Sequence, residues 1–268
     1  MRIGNKDFDL TNHCYVMGIL NVTPDSFSDG GKFNNLDAAL KHTEEMIRDG
    51  ADIIDVGGES TRPGHEQISE EEEIARVTPV IEAIKKNFDI PVSIDTYKGP
   101  VTLAALQAGA DLVNDIWGFK YDPKVADYTA RYKAACCLMH NRNEAAYIDF
   151  QKDFLEDLKE CVAIAKNANV ADEKIILDPG VGFGKTYEMN LEIINHLEIM
   201  HELKYPILLG TSRKSVIGLT LDLPADERVE GTLATTVIGV MKGCSFVRVH
   251  DVKENARIIK MTEAILAR

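Results

Sequence analysis

A short apolar, β-branched run, then a polar loop, then an amphipathic segment recurs along the chain, and few folds can accept that pattern eight times. The runs occupy residues 15–22, 53–56, 92–94, 112–116, 134–139, 175–177, 207–209 and 246–249. They read as nearly continuous Val, Ile and Leu rather than as alternation, which is expected of strands buried on both faces of a parallel sheet. Parallel neighbours need a crossover between them, usually a helix. Eight such units close into a (β/α)8 TIM barrel, a fold that takes about 250 residues, and the chain has 268. No linker, low-complexity tract or shift in composition divides the sequence, so a single α/β domain over residues 1–268 is expected.

The intervening segments carry helix punctuation. Residues 36–49 form an amphipathic stretch that stops at Gly50, a C-cap signal. Ser69 followed three residues later by Glu72 predicts an N-cap with a capping box. Residues 226–239 and 252–267 are also amphipathic at helical spacing. Residues 2–10 are too short for a barrel unit and are expected to form a hairpin that closes the barrel bottom.

Composition excludes several function classes. Thirty Lys and Arg against 43 Asp and Glu leave a formal charge of −13, which disfavours nucleic-acid binding, since a phosphate backbone requires a basic face. A chain this acidic that takes an anionic substrate must concentrate its cations locally. No apolar run reaches the roughly 18 residues of a membrane span. The first residues are polar and charged where a signal peptide would have an apolar centre, so a cytoplasmic location is expected. The five cysteines (Cys14, Cys136, Cys137, Cys161 and Cys244) show no metal-binding spacing and read as small hydrophobes in a reducing compartment.

Function is signalled by what stands at the C-terminal end of each run. There lie Asn21, Asp55 with Glu59, Asp95, Asn114 with Asp115, His140, Asp178, Ser212-Arg213-Lys214, and Arg248 with His250. In a barrel these ends meet at one mouth, where active sites sit. Asn114 and Asp178 offer an amide and a carboxylate to the donor–acceptor edge of a flat nitrogen heterocycle. Asp95 adds a second carboxylate, and Lys214 can reach a ring carbonyl or nitrogen. Met139 and Phe183 suit either the ring faces or ordinary core. Arg248 and His250 alternate on the last run and so share a side, forming a cationic pair for phosphate or pyrophosphate. The alternative is that Arg248 pairs with Asp251 or a neighbouring acid while His250 caps a helix. Asn21, beside that pair in a closed barrel, is a candidate Mg²⁺ ligand, because Mg²⁺ takes few protein ligands and prefers substrate phosphates and water.

Three loops complete the candidate mouth. TPDSFSDGG, residues 23–31, holds turn formers and a Gly pair around Phe27 and Asp29, as in a loop that closes over a ligand. GGESTRPG, residues 57–64, places Arg62 at its tip. GVGFGKT, residues 180–186, looks superficially like a phosphate loop but lacks its spacing, and reads as a flexible βα loop.

Together these blocks resemble the dihydropteroate synthases, members of the pterin-binding barrel family. MGILNVTPDSFSDGG (residues 17–31) is similar to the first signature of that family and GADIIDVGGESTRPG (residues 50–64) to the second. Ser93-Ile94-Asp95-Thr96, Val113-Asn114-Asp115, Leu177-Asp178-Pro179-Gly180, Ser212-Arg213-Lys214 and Arg248-Val249-His250-Asp251 match the remaining blocks in order. The resemblance implies a Mg²⁺-dependent transferase of folate biosynthesis. Such an enzyme condenses 6-hydroxymethyl-7,8-dihydropterin pyrophosphate with p-aminobenzoate, releases pyrophosphate, and is the target of sulfonamides. It implies pterin contacts from Asp95, Asn114, Ile116, Met139, Asp178, Phe183, Lys214 and Arg248. Asn21, Arg248 and His250 would hold pyrophosphate, Asn21 with the metal. Phe27, Thr61, Arg62, Pro63, Phe183, Lys214 and Ser215 would line the p-aminobenzoate site. The catalytic set implied is Asp29, Asp95, Lys214, Arg248 and His250, acting in a homodimer. Gly231, Ala234, Gly239 and Gly243 form a small-residue face that either meets the partner subunit or packs on the barrel. Two rivals share the pterin pocket: a methyltetrahydrofolate–corrinoid methyltransferase with a corrinoid partner, and a non-catalytic pterin-binding barrel. Both loop signatures and the Arg248/His250 pair argue against the first, and the complete polar set against the second.

Overall fold

Strand parity governs this structure. It is a computed structural model and describes residues 1–23, 32–59 and 67–267. A hairpin of β1 (Arg2–Ile3) and β2 (Lys6–Asp7) leads into the barrel strands β3 (Tyr15–Asn21), β4 (Ile53–Gly57), β5 (Val92–Asp95), β6 (Leu112–Asp115), β7 (Ala135–Met139), β8 (Ile175–Asp178), β9 (Leu208–Leu209) and β10 (Phe246–Val249). All neighbouring barrel strands pair in parallel in the order β8-β7-β6-β5-β4-β3-β10-β9. A bridge between Leu177 and Ile207, with the Leu177 N–H donating to the Pro206 carbonyl at 2.9 Å, joins the two ends. The helices α1 (Lys32–Asp49), α2 (Glu70–Asn87), α3 (Gly99–Gln107), α4 (Pro123–Tyr132), α5 (Phe150–Asn167), α6 (Tyr187–Asn195), α7 (Ser215–Leu221), α8 (Val229–Met241) and α9 (Val252–Leu266) follow the strands in turn, two of them after β9. The TIM barrel expected from the eight runs is the fold observed.

Side chains of successive strand residues face opposite sides, and the core divides accordingly. Val16, Leu20, Ile54, Val56, Val92, Ile94, Val113, Leu138, Leu177 and Val247 pack outward into the layer shared with the helices. Met17, Ile53, Leu112, Ala135, Cys137, Ile176, Leu208 and Phe246 form a separate cluster in the lumen. Ile3 and Phe8 of the hairpin segment complete that cluster from below, so the N-terminal hairpin does close the barrel bottom. The lumen is therefore dry and apolar low down. Two residues further along each strand on the same parity come Asp55, Asn114 and Arg248, with Asp95 and Asp178 on matching positions of β5 and β8.

Two local expectations change. Ser69 caps α2, its hydroxyl accepting the Glu72 N–H at 3.2 Å, but Glu72 turns its carboxylate forward to Arg76 one helical turn on. An i,i+4 ion pair thus replaces the reciprocal half of the capping box. The helix expected from residue 226 starts later, at Val229, after a 3-10 turn at Ala225–Glu227. Arg228 keeps the two apart in a non-helical conformation while its guanidinium donates to the Leu223 and Arg213 carbonyls at 2.9 Å each. All five cysteines are buried and unpaired. Among the described residues, no helix is long and apolar enough to cross a membrane.

Candidate active site

Directly above the apolar lumen lies a hydrogen-bonded set of charges. Arg248, from β10, donates through Nε to Asp55 Oδ2 at 2.5 Å and through a terminal nitrogen to Asp95 Oδ2 at 2.6 Å. The Asn114 amide donates to the same Asp55 oxygen at 3.3 Å. Asp55, Asp95 and Asn114 are all buried. The remaining oxygens, Asp55 Oδ1 and Asp95 Oδ1, have no hydrogen-bond partner among the described residues. A buried acceptor without a partner costs about 1–3 kcal/mol, so this arrangement favours a ligand that brings N–H donors. Burial pushes the Asp95 carboxyl up to about 7, against the pull of Arg248.

The opposite side of the mouth is built by β8 and the segment after β9. Asp178 Oδ1 accepts the Gly180 N–H at 2.7 Å, and burial raises its carboxyl above the usual range despite Lys214. Lys214 donates to the Val181 carbonyl at 2.5 Å and stands 4.8 Å over the Phe183 ring. Burial draws its ammonium down to about 8. Gly210 keeps the space between these groups clear. A Cβ there would lie 3.3 Å from Asp178 Oδ2, 3.9 Å from Lys214 Nζ and 4.0 Å from Arg248 Cβ. Ile116, Met139 and Tyr97 form an apolar cluster with Trp117 and Phe183 packed against it, which supplies flat and polarisable walls. The arrangement can therefore hold a planar, donor-rich heterocycle by its edge and faces at once.

Asn21, half-buried at the end of β3, borders the same space. A Cβ on Gly57 would lie 3.5 Å from Asn21 Oδ1 and 3.7 Å from Asp95 Cβ, so the missing side chain keeps the gap between them open. His250 stands beyond β10, where Nδ1 and Ser212 Oγ share a 2.9 Å hydrogen bond. Ser215, the first residue of α7, is exposed beside Lys214. Phe27, Asp29, Thr61, Arg62 and Pro63 lie outside the described residues.

Several readings from sequence are revised by this geometry. Arg248 does not stand as a free cation beside His250; it pairs with neighbouring acids, Asp55 and Asp95, and not with Asp251, which binds Arg213 at 2.5 Å. It belongs to the carboxylate floor. Asp55, one of the ring of strand ends in the sequence, anchors both Arg248 and Asn114. Strand parity was the signal for it, since Asp55 lies two residues after the lumen-facing Ile53. Parity also removes two members of that ring. Asp115 turns outward and accepts the Trp117 and Phe119 N–H groups at 2.7 and 3.0 Å, while His140 is fully buried against Asp157. Glu59 serves the wall, binding Lys98 at 2.6 Å. The segment 180–186 read as flexible is instead pinned, its Gly180, Val181 and Phe183 carbonyls and Gly184 carbonyl all accepting side-chain donors.

Lys214→Ala is expected to weaken binding of a flat heterocyclic ligand about tenfold, one charged hydrogen bond being worth about 1.5–3 kcal/mol. Calorimetry with a pterin ligand checks this, and an unchanged affinity would take Lys214 out of the site.

A barrel mouth with a carboxylate–amide–arginine floor and a lysine over an aromatic wall defines an enzyme-like site for a planar, donor-rich heterocycle, of which a pterin is one. Consistent with that, the profile of the family described as pterin binding enzyme matches residues 17–250. A dihydropteroate synthase of Clostridium beijerinckii is 65% identical over 269 residues, covering 100% of each chain. The crystal structure of a Clostridium difficile dihydropteroate synthase in the presence of pteroic acid superposes with a TM-score of 0.95 at 51% identity, over 98% of this chain and 100% of that one. A Yersinia pestis dihydropteroate synthase in complex with a sulfonamide drug gives a TM-score of 0.93 at 41% identity, over 100% and 99%. The chain belongs to the dihydropteroate synthases, transferases of folate biosynthesis.

Proposed function

We propose that the mouth joins 6-hydroxymethyl-7,8-dihydropterin pyrophosphate to p-aminobenzoate, giving 7,8-dihydropteroate and pyrophosphate. The observation that carries this reading is the pair of buried carboxylates, Asp55 and Asp95, bridged by Arg248 with one oxygen of each left for a donor. The aminopyrimidine edge of a pterin presents N–H donors of the kind Asp95 and Asp178 accept, while Asn114 and Lys214 serve its carbonyl and ring nitrogens. Ile116, Met139 and Phe183 take its faces.

In the reaction the bond between the methylene carbon and the pyrophosphate oxygen breaks, and its electron pair leaves with pyrophosphate. Positive charge spreads over the pterin ring, where Asp95 and Asp178 are placed to stabilise it. The arylamine lone pair then forms the new C–N bond, and the amine gives up a proton. Asn21 and His250, with Arg248 near, are assigned to pyrophosphate. Asn21 suits a Mg²⁺ held chiefly by substrate oxygens and water, since a neutral amide leaves the charge balance to pyrophosphate. The ion would supply charge neutralisation of the leaving group. The Phe27, Thr61, Arg62 and Pro63 loops, with Phe183, Lys214 and Ser215, are assigned to p-aminobenzoate. Asp29 is assigned to the metal or the cationic ring, and sulfonamides would compete for the arylamine site.

A cytoplasmic location and a homodimer complete the proposal. Gly231 and Gly239 make room for Ile217 and Leu209 within the chain, so packing on the barrel accounts for them. Exposed apolar residues on the last three helices, Leu219, Ile238, Met241, Met261 and Ile265 among them, offer a better surface. Purified protein supplied with the pterin pyrophosphate, p-aminobenzoate and Mg²⁺ is expected to form the joined pterin–arylamine product and to release pyrophosphate faster when the arylamine is present. Chelation of Mg²⁺ should abolish product formation, and the absence of any arylamine-dependent pyrophosphate release would sink the reading.

A further inference from the structure

The stretch that carries Phe183 and the Val181 carbonyl is held from behind by groups that never reach the mouth. Lys185 donates to three acceptors: His140 Nδ1 at 2.7 Å, the Gly180 carbonyl at 3.0 Å and the Phe183 carbonyl at 3.1 Å. As an ammonium Lys185 has three protons for these three acceptors, although burial draws it well below the usual lysine range. For His140 Nδ1 to accept, the ring proton must sit on Nε2, which lies 2.9 Å from Asp157 Oδ2. Arg142 secures Asp157 in turn, through Nε at 2.6 Å and a terminal nitrogen at 3.1 Å. Burial keeps His140 neutral, its ring drawn down to about 4 despite Asp157, as that tautomer requires.

The backbone meets the same support. A Cβ on Gly180 would lie 1.9 Å from the His140 carbonyl oxygen, so the segment rests directly on the end of β7. On its other side Lys214 holds the Val181 carbonyl and covers the Phe183 ring. The lysine in the mouth and the lysine behind it thus grip one backbone segment from two sides.

We infer that the chain Asp157–His140–Lys185 is a positioning device that sets the backbone of residues 180–183, and through it Phe183 and Lys214, for the flat ring of the pterin. The inference rests on the proposed pterin site. Lys185 is a positioning residue, not a catalytic one. Because it acts on the ring wall and not on the Asn21 side of the mouth, its loss should weaken the pterin selectively.

The test measures binding of 6-hydroxymethyl-7,8-dihydropterin pyrophosphate and of inorganic pyrophosphate, with Mg²⁺, by calorimetry on the full chain. Lys185→Met and His140→Leu are each expected to raise the Kd of the pterin substrate about tenfold and to leave that of inorganic pyrophosphate within about twofold, which corresponds to roughly 1.4 kcal/mol on one ligand alone. His140→Asn, whose side-chain oxygen can stand near the place of Nδ1 and accept from Lys185, should recover most of the loss. A parallel rise for both ligands, no change in the pterin Kd, or a loss in His140→Asn as large as in His140→Leu would overturn the inference. The two His140 variants decide the matter if Lys185→Met does not fold. Absence of pterin binding by the unaltered protein would instead overturn the proposed function.

Discussion

Asp95→Asn is expected to lower kcat/KM for the pterin substrate by about 100- to 1,000-fold while the chain stays at least as stable. Asp95 Oδ1 is buried without a partner among the described residues, and Oδ2 is bound by Arg248. An amide there loses the charge that opposes positive charge on the ring. In one of its two orientations it also sets an NH₂ group against ligand N–H donors. A charged hydrogen bond contributes about 1.5–3 kcal/mol. With the added mismatch the total reaches about 3–4 kcal/mol, and each 1.36 kcal/mol is tenfold in rate. Stability should not suffer, because burial already opposes ionisation of this carboxyl and Arg248 keeps Asp55. Steady-state kinetics beside urea unfolding reads both quantities, and a fall of less than tenfold would remove Asp95 from ring binding.

Arg248→Met should act on the fold as well as on activity. It leaves Asp55 and Asp95 buried with their shared counter-charge gone, and stranding a buried charge in this way costs about 3–5 kcal/mol. The loss should depend on pH in a set direction. Burial raises Asp95 from 3.8 to about 7 in the folded protein. Well below pH 4 the group is protonated folded and unfolded alike and contributes nothing. As pH rises from about 4 to about 7 the unfolded chain ionises first, so the folded state loses ground across that window. Without Arg248 the folded carboxyl moves higher still, and the window extends upward. Unfolding in urea should therefore show a larger loss at pH 8 than at pH 5. An equal loss at both would mean that the guanidinium serves packing rather than charge.

Much of the site was legible because strand parity is local. Arg248 and His250 were placed on one side of the last strand from their spacing alone. The same rule, applied to β4, β6 and β7, would have set Asp55 inside and Asp115 and His140 outside. The Gly-rich segment at residues 180–186 misled for a different reason. Its glycines signal backbone freedom, but at Gly180 a left-handed φ of +65° is joined by a need for space, since no side chain fits against the His140 carbonyl. Gly231 and Gly239 carry the same lesson, for they make room for Ile217 and Leu209.

The sequence by itself determined the eight β/α units, the apolar lower lumen, the polar upper rim and the family to which the chain belongs. Each of these follows from short-range geometry: a strand repeats every two residues, a helix every 3.6, and a cap or signature spans a few positions. Only the tertiary structure decided which acid faces which cation. Arg248 pairs with Asp55 across 193 residues of chain, because barrel closure brings β10 beside β3 and within reach of β4. Asp251, three residues from Arg248, is held by Arg213 instead. In a buried mouth the strength of a charge pair depends on distance through space and on desolvation, and neither is written in the spacing of residues along the chain.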